Sequence, residues 1–255
     1  MERSPRSSVD GAEHVFVSES EKCRPLLDEA VLHVWTFSQV VDLLDLSRQE
    51  HTLSDEEWRR VRRYSSARPA RRFIVRRGLL RRILGKYLGR SPEEVRFVYN
   101  AHGKPILSPE LFSDLQFSLS HSGEMVALAV GVRDPLGIDI ERLRNLRVLG
   151  GTDFLESPTQ EAVRFTRSAT STGSLAFIQA WTRREAVAKA EGRGLQMLPG
   201  RYNVDGLTYF MQPDSTSDGP LYRRSLHVHT LTLPAGYVGV LAARQKTPKI
   251  VYFSL

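Results

Sequence analysis

The sequence predicts an α+β protein, and three observations support this. Segments rich in β-branched and aromatic residues alternate with long amphipathic segments. Three short β-type runs follow one another between residues 115 and 141, and two more close the chain. An order of strand, helix, strands, helix and strands is typical of this class. The 255 residues are enough for a substantial core, in one domain or in two compact lobes.

Local sequence signals predict the first helices and strands. Residues 1–30 are polar and aperiodic, which predicts a flexible N-terminal extension. The run VLHVWTF (31–37) predicts a strand. Ser54 lies three residues before Glu57, the spacing of a capping box that opens a helix. Pro69 suits the first turn of the next helix, which is expected to end at Gly89.

The second half alternates in the same way. The runs LQFSLSHSG, MVALAVGV and LGIDIE are separated by SGE and RDP, which predicts an antiparallel meander. The segment SLAFIQAWTRREAVAKAEGRG predicts a helix, and LHVHTLTL and YVGVLAA predict two closing strands. No internal sequence repeat is evident.

The helix after Pro69 is rich in arginine. At 100° per residue, Phe73 and the leucines gather on one side, while Arg77 and Arg81 flank this apolar face. A solvated basic face explains most of the arginines and leaves one or two to reach an anionic ligand. The opposite side carries Arg71, Arg72, Arg76, Arg82 and Lys86.

Composition excludes several classes of protein. The net charge of +7 favours anionic partners, without choosing among nucleic acid, phosphorylated small molecules, acidic membranes and acidic proteins. No apolar run is long enough to span a membrane, and the first residues lack the apolar segment of a signal peptide. Cys23 is the single cysteine, which excludes an internal disulfide, argues against zinc and agrees with a cytoplasmic location.

Two carboxylates stand out in the segment GIDIERLRN (137–145). In a strand, Asp139 and Glu141 share one face while Ile138 and Ile140 share the other. Two adjacent carboxylates repel each other unless a cation or hydrogen-bond donors compensate, and Mg²⁺ prefers such oxygen ligands. The alternative is a strand end whose acids face solvent.

Other polar residues likewise have two interpretations, as surface residues or as parts of a site. Glu185 and Lys189 lie four apart on one helix face, either as a surface ion pair or as part of a site. Ser120 and His121 are adjacent in a strand and point to opposite faces, which argues against a serine hydrolase. A phosphate contact suits His121 and its neighbours better. Lys104, in a tight turn, is either a phosphate contact or a solvated lysine.

Taken together, these motifs resemble the 4'-phosphopantetheinyl transferases of the surfactin-synthetase-activating (Sfp) type. FSLSHSG, GIDIE and WTRREAVAKAEGRGL carry the resemblance, together with RRFIVRRGLLRRILGKYL and HGKPIL upstream, from about Val34 onward. The resemblance implies a monomer of two similar α+β lobes (31–145 and 146–255) related by a pseudo-twofold axis. It also implies Mg²⁺-dependent transfer of phosphopantetheine from coenzyme A, bound in the cleft between the lobes, to a serine of an apo carrier protein, with release of adenosine 3',5'-bisphosphate.

The resemblance also implies roles for individual residues. Glu185 is the candidate base for the carrier serine, and Lys189 contacts the phosphates and assists the leaving group. Arg184 replaces the family's usual lysine, and whether Gln160 or Glu161 adds a fourth ligand stays open. The implied metal ligands are Asp139, Glu141 and Glu185, and the implied coenzyme A contacts are Arg71, Arg72, Lys104, Ser120, His121 and Lys189.

Two rival functions are compatible with parts of the sequence. A nucleic-acid-binding module would need aromatic residues for stacking among the arginines, whereas Trp58, Phe73 and Tyr87 fall at core-like positions. A pseudoenzyme that holds carrier proteins would not need the intact acids. The expected activity is that of a holo-[acyl-carrier-protein] synthase, with neither nucleic acid nor membrane as partner. The carrier class, from fatty-acid, polyketide or nonribosomal-peptide synthesis, is open, and Phe154 and Leu155 are the expected docking residues.

Overall fold

A computed structural model describes residues 7–9, 12–18, 25–143, 171–192, 208–210 and 225–255. They form a mixed α+β protein, as the sequence predicts. The helices are α1 (Leu43–Glu50), α2 (Asp55–Val61), α3 (Ala67–Leu88) and α4 (Ser171–Glu191), with short 3₁₀ turns at Pro92–Glu94 and Pro109–Leu111. The strands are β1 (Ser7–Val9), β2 (Ala12–Ser18), β3 (Val31–Ser38), β4 (Phe97–Tyr99), β5 (Pro105–Leu107), β6 (Leu115–Ser122), β7 (Met125–Val132), β8 (Gly137–Arg142), β9 (Thr208–Phe210), β10 (Ser225–Thr230), β11 (Tyr237–Ala243) and β12 (Lys249–Ser254).

The strands form two larger sheets and one small hairpin. The first sheet has the order β1-β2-β12-β3-β7-β6, and the second has the order β8-β11-β10-β9. Within them, β3-β7-β6 and β8-β11-β10 are both consecutive antiparallel triplets. The hairpin pairs β4 with β5. The two triplets therefore repeat one strand arrangement in two parts of the chain.

The sheets and the long helices stack in four layers. One face of the first sheet packs on α3, where Trp35 and Leu84 are fully buried. Its other face packs on the second sheet through side chains such as Val34 and Ile140. The far face of the second sheet packs on α4 through side chains such as Val187. Each sheet thus buries both faces, as apolar residues along its strands require.

Two expectations about strand pairing need correction. Residues 1–30 were expected to be an extension, but β1 and β2 lie within them, and β2 pairs in parallel with β12. The meander ends after β7, because β8 pairs with β11 in the second sheet. These pairings are long-range, and no local signal specifies them.

Helix α3 begins and ends near the predicted residues. Gly89 adopts a left-handed conformation, with φ of 64°, and closes the helix after Leu88. The predicted capping box is present in α2, between Ser54 and Glu57. Among the described helices, none combines the length and apolar character needed to cross a membrane.

Two arginines of α3 have a different environment from the one expected. Arg77 and Arg81 were expected to flank the apolar face, but both are buried. They pair with the carboxylate of Glu57, Arg77 Nε at 3.1 Å from Oε1 and Arg81 Nη2 at 2.9 Å from Oε2. Arg81 also donates to the carbonyl oxygens of Pro92 and Val95. These two guanidinium groups therefore stabilise the interior through ion pairs and hydrogen bonds, and they are not exposed to an anionic ligand.

Candidate active site

The carboxylates of β8 lie on one face of the strand, as predicted. Ile138 and Ile140 are fully buried between the sheets, whereas Asp139 and Glu141 point toward the side on which α4 packs. Asp139 is 4% exposed. Strand alternation alone produces this arrangement, because β8 must bury its isoleucines against the first sheet.

Serine hydroxyl groups of β6 hold both carboxylates. Ser120 Oγ donates to Asp139 Oδ1 at 2.8 Å, and Ser122 Oγ donates to Glu141 Oε2 at 2.7 Å. The Ser120 hydroxyl, which was expected to contact a phosphate, therefore directs its single proton to Asp139. His121 lies on the opposite face of the strand and is exposed, which confirms the predicted alternation.

Helix α4 brings Lys189 to the same carboxylate. Lys189 Nζ lies 2.6 Å from Asp139 Oδ1, so this oxygen accepts from both Lys189 and Ser120. The close approach of the helix depends on Gly137, where a Cβ atom would lie 2.0 Å from the carbonyl oxygen of Ala186. The other oxygen, Asp139 Oδ2, is buried and has no hydrogen-bond partner among the described residues.

The acids influence one another electrostatically. Burial raises the pKa of Glu141 to about 7, the charges of Asp139 and Glu185 add to the rise, and the bond from Ser122 opposes it. Burial likewise raises the pKa of Glu185, against the positive charge of Lys189. Ionising all three carboxylates together is therefore costly without a cation.

The donor set fits a divalent cation. Asp139 Oδ2 is a buried oxygen without a donor, and carboxylate oxygens are the ligands that Mg²⁺ prefers. In the part of the chain that the structure describes, no three histidine, cysteine or acidic side chains are grouped closely enough to hold a metal ion as they stand. To hold a metal ion together, these carboxylates would need to lie closer to one another than they do here.

A basic cavity of about 370 Å³ is a second part of the site. Three basic side chains and one acidic side chain contribute to its lining, which comprises Arg68, Pro69 and Arg72 of α3, Gly123 and Glu124 of the β6–β7 turn, and Arg142 at the end of β8. The Arg72 Nε atom is buried and has no hydrogen-bond partner among the described residues, so this guanidinium group retains a donor for a ligand. Arg71 is exposed on the helix. The cavity has the charge expected of an anion-binding site.

His121 lies in the electrostatic field of basic groups from both α3 and α4. The surrounding protein atoms lower its pKa to about 4, and the positive charges of Arg76, Lys189 and Arg72 lower it further. The imidazole thus lies in the field of both the α3 arginines and the α4 lysine. An anion bound between them would be stabilised by all four groups and would raise the pKa of His121.

Lys104 is anchored to helix α4. Its ammonium group donates to the carbonyl oxygens of Lys189, at 2.6 Å, and Leu136, at 3.2 Å. In the same turn, Asn100 Nδ2 donates to the carbonyl oxygen of Gly192 at 2.8 Å. Burial and the charge of Lys189 lower the pKa of Lys104 to about 8. Two of its three protons are used on the backbone, which leaves one for a ligand.

Sequence comparison places these residues in a family. Residues 43–133 match the model for the N-terminal part of 4'-phosphopantetheinyl transferases, and residues 135–226 match the 4'-phosphopantetheinyl transferase superfamily. The chain is 34% identical over 190 residues to the 4'-phosphopantetheinyl transferase HetI of Nostoc sp., covering 73% of this chain and 78% of HetI. The chain belongs to the 4'-phosphopantetheinyl transferase superfamily. The predicted family is thereby confirmed.

Further relatives of the transferase agree. The 4'-phosphopantetheinyl transferase Sfp of Bacillus subtilis is 28% identical over 202 residues, covering 77% of this chain and 85% of Sfp. AcpT of Salmonella typhi is 37% identical over a shorter stretch of 115 residues, 43% of this chain and 55% of AcpT. The first family match contains Arg72, Lys104 and His121, and the second contains the β8 carboxylates and α4. The candidate site of the transferase thus draws on both matched segments.

Sequence reasoning missed several site residues. Arg68 and Arg142 line the cavity, and Arg76 donates to the Gln39 side chain beside the β6–β7 turn. A spacing of four puts Arg68, Arg72 and Arg76 on one helix face, which is a signal that could have selected them from the other arginines. The expected docking residues Phe154 and Leu155, and the open choice between Gln160 and Glu161, lie outside the described residues.

Proposed function

We propose that this protein transfers the 4'-phosphopantetheine arm of coenzyme A to a serine of an apo acyl or peptidyl carrier protein and releases adenosine 3',5'-bisphosphate. The observation that carries the proposal is the adjacency of two complementary half-sites. The buried carboxylate oxygen of Asp139 is without a donor, and the arginine cavity retains a donor on Arg72. His121 lies in the electrostatic field of the α3 arginines and of Lys189, the lysine that pairs with Asp139. Coenzyme A needs both halves, because it carries a pyrophosphate, which would lie near the carboxylates and a bound cation, and a separate 3'-phosphate on its ribose, which would lie in the arginine cavity.

The proposed reaction breaks one bond and forms one. The serine oxygen of the carrier attacks the phosphorus atom next to the pantetheine arm, and the bond from that phosphorus to the adenosine bisphosphate breaks. Glu185 takes the serine proton, directly or through water, and Lys189 stabilises the charge on the departing phosphate. Asp139, Glu141 and Glu185 would hold Mg²⁺, which supplies charge neutralisation at the phosphates when it is bound. The free oxygen Asp139 Oδ2, and the serine bonds that hold Asp139 and Glu141 on one face of β8, support this assignment.

The proposed coenzyme A site uses the basic residues. Arg72, with Arg71 beside it on α3, binds the terminal 3'-phosphate, because a guanidinium group offers several donors to such a group. His121 and Lys189 bind the pyrophosphate, with the remaining proton of Lys104. The cavity at Arg68, Arg72 and Arg142 supports the first part. Ser120, which the resemblance places among these contacts, bonds to Asp139 in the structure.

The proposed architecture is a monomer of two similar lobes in a pseudo-twofold arrangement, with the substrate in the cleft between them. The repeated triplets β3-β7-β6 and β8-β11-β10 support the repeat, as does the separate family match on each side of residue 134. The proposed location is the cytoplasm, where coenzyme A and carrier proteins occur. The class of carrier protein, from fatty-acid, polyketide or nonribosomal-peptide synthesis, stays open.

A nucleic-acid-binding function is the less favoured alternative. Phe73 and Tyr87 of the arginine-rich helix are 5% and 6% exposed, so they are not available to stack on bases. Arg77 and Arg81 pair with Glu57 in the interior. Binding to single-stranded DNA or RNA that persists at high salt would favour this alternative.

The test is a transfer assay with an intact-mass readout. The protein is mixed with an apo carrier protein, coenzyme A and Mg²⁺, and the carrier is weighed. We expect the carrier to gain one phosphopantetheine arm, and Glu185→Gln and Asp139→Ala to abolish the gain while the protein stays folded. Asp114→Asn, at a surface carboxylate that is 71% exposed, is the matched control. No gain on fatty-acid, polyketide or peptide carriers would refute the proposal.

A further inference from the structure

The contact between β6 and β8 is made by three serine side chains. Ser118, Ser120 and Ser122 alternate along β6, and we call them the serine ladder. Ser118 Oγ accepts from the amide of Ile138 at 3.1 Å, Ser120 Oγ from Ile140 at 3.3 Å, and Ser122 Oγ from Arg142 at 3.0 Å. The hydroxyl groups thus satisfy the amides on the edge of β8 that faces away from β11. Buried amides without acceptors would be costly.

Each hydroxyl group also has one proton to donate. Ser120 donates it to Asp139, and Ser122 donates it to Glu141. At the corresponding place beside Ser118, β8 carries Gly137, which has no side chain to accept it. The three rungs therefore make the same backbone contact, but only two of them also hold a carboxylate.

The two carboxylate oxygens of Asp139 differ in their hydrogen-bond partners. Oδ1 accepts from Ser120 and from Lys189, whereas Oδ2 is buried and without a partner among the described residues. Fixing one oxygen of a carboxylate on a rigid strand also fixes the direction of the other. Hydroxyl groups are neutral, so they orient the acids without neutralising the charge that a cation needs.

We propose that Ser120 and Ser122 are positioning residues that orient Asp139 and Glu141 for a divalent cation, and that Ser118 has only the backbone role. The proposal rests on the proposed function for the identity of the cation site. It assigns the Ser120 hydroxyl group to the metal side of the site and not to a phosphate. The spacing S-x-S-x-S on one strand against D-x-E on its neighbour is the sequence form of this arrangement.

The test compares the three rungs by metal binding, with Mn²⁺ as a spectroscopic substitute for Mg²⁺. Mn²⁺ binding to the full chain with coenzyme A is measured by electron paramagnetic resonance, without a carrier protein. We expect Ser120→Ala and Ser122→Ala to weaken Mn²⁺ binding by about 10- to 100-fold, the usual effect of losing a residue that orients a metal ligand. Ser118→Ala, the matched control, should change it less than about twofold, although it loses the same amide contact. Ser122→Thr, which keeps a hydroxyl group at a partly exposed position, should restore binding.

Each outcome has one meaning. Equal weakening by all three alanine variants would reduce the ladder to a structural contact and overturn the proposal, as would unchanged Mn²⁺ binding in Ser120→Ala and Ser122→Ala. Absence of Mn²⁺ binding in the unsubstituted protein would also overturn it. If Ser120→Ala does not fold, the comparison of Ser122→Ala with Ser118→Ala decides whether the proposal holds, because Ser122 is partly exposed. If the unsubstituted protein binds Mn²⁺ with the expected ranking but modifies no carrier, the proposed function fails while the role of the ladder stands.

Discussion

Replacement of Gly137 by alanine should uncouple helix α4 from β8. A Cβ atom at this position would lie 2.0 Å from the carbonyl oxygen of Ala186 and 2.3 Å from the amide nitrogen of Ala190, whereas ordinary contact begins at 3.4 Å. Both contacts are backbone atoms of the helix, so no side chain can rotate away. The helix must therefore move by roughly 1.4 Å, and overpacking of this kind costs about 1–3 kcal/mol of unfolding free energy.

The same displacement reaches the site. Lys189 lies on the turn that must move, and its ammonium group is 2.6 Å from Asp139 Oδ1. A misplacement of about 1 Å costs on the order of 100-fold in rate when it affects a reacting group. We therefore expect Gly137→Ala to lower the rate of carrier modification by about that factor, measured as initial rates by intact mass at saturating coenzyme A.

Gly131→Ala is the matched control. A Cβ atom there would meet only the side-chain ends of Leu136, at 2.8 Å, and Leu32, at 3.0 Å, which can adjust. This variant should lose some stability, measured by urea denaturation, and keep its transfer rate within a few-fold. If Gly137→Ala transfers as fast as Gly131→Ala, the seating of α4 on β8 does not govern the site, and the reasoning is refuted.

Three further predictions concern stability, each measured by urea denaturation. Lys104→Met should lower the free energy of unfolding by about 1–3 kcal/mol, because two partly buried carbonyl groups lose their donor; an unchanged midpoint would contradict the anchoring role. Arg81→Met should cost about 3–5 kcal/mol, because the buried carboxylate of Glu57 loses a partner, whereas Arg82→Met is the control and should cost far less. Burial lowers the pKa of the His33 imidazole to about 4, and the negative charge of Asp28 opposes this shift. Between about pH 6.5 and pH 4, His33 is therefore protonated in the unfolded chain but not in the folded chain. The contribution of His33 to the free energy of unfolding is therefore fully present above about pH 6.5 and decreases as the pH falls toward 4. At pH 5 the loss is roughly 2 kcal/mol. His33→Gln should flatten this dependence, and an equally steep profile in the variant would argue against it.

Local signals predicted much of the fold. The capping box at Ser54 and the left-handed Gly89 appear where the sequence indicates, because both depend on residues within a few positions of each other. Alternation along β8 likewise put Asp139 and Glu141 on one face. These features need no knowledge of the tertiary structure.

Long-range pairings could not be predicted in this way. That β8 leaves the meander to pair with β11, and that β2 pairs with β12, depends on which sheet edges remain open after the other strands have packed. The site shows the same limit. Helical spacing joined Glu185 with Lys189, but the contact of Lys189 with Asp139 arises only because α4 packs on the backbone of Gly137.

The parallel strand β12 has a consequence for synthesis. It lies between β2 and β3, pairing Ile250 with both His14 and Leu32, and so fills the middle of a sheet whose other strands precede it by more than a hundred residues. During translation, the edge of β3 that pairs with β12 stays uncovered until residues 249–254 have left the ribosome. Such late closure predicts slow folding and a period in which the open edge can capture another strand. Blocking or removing β12 should therefore reduce the yield of folded protein, even though this strand lies outside the segments that match the family.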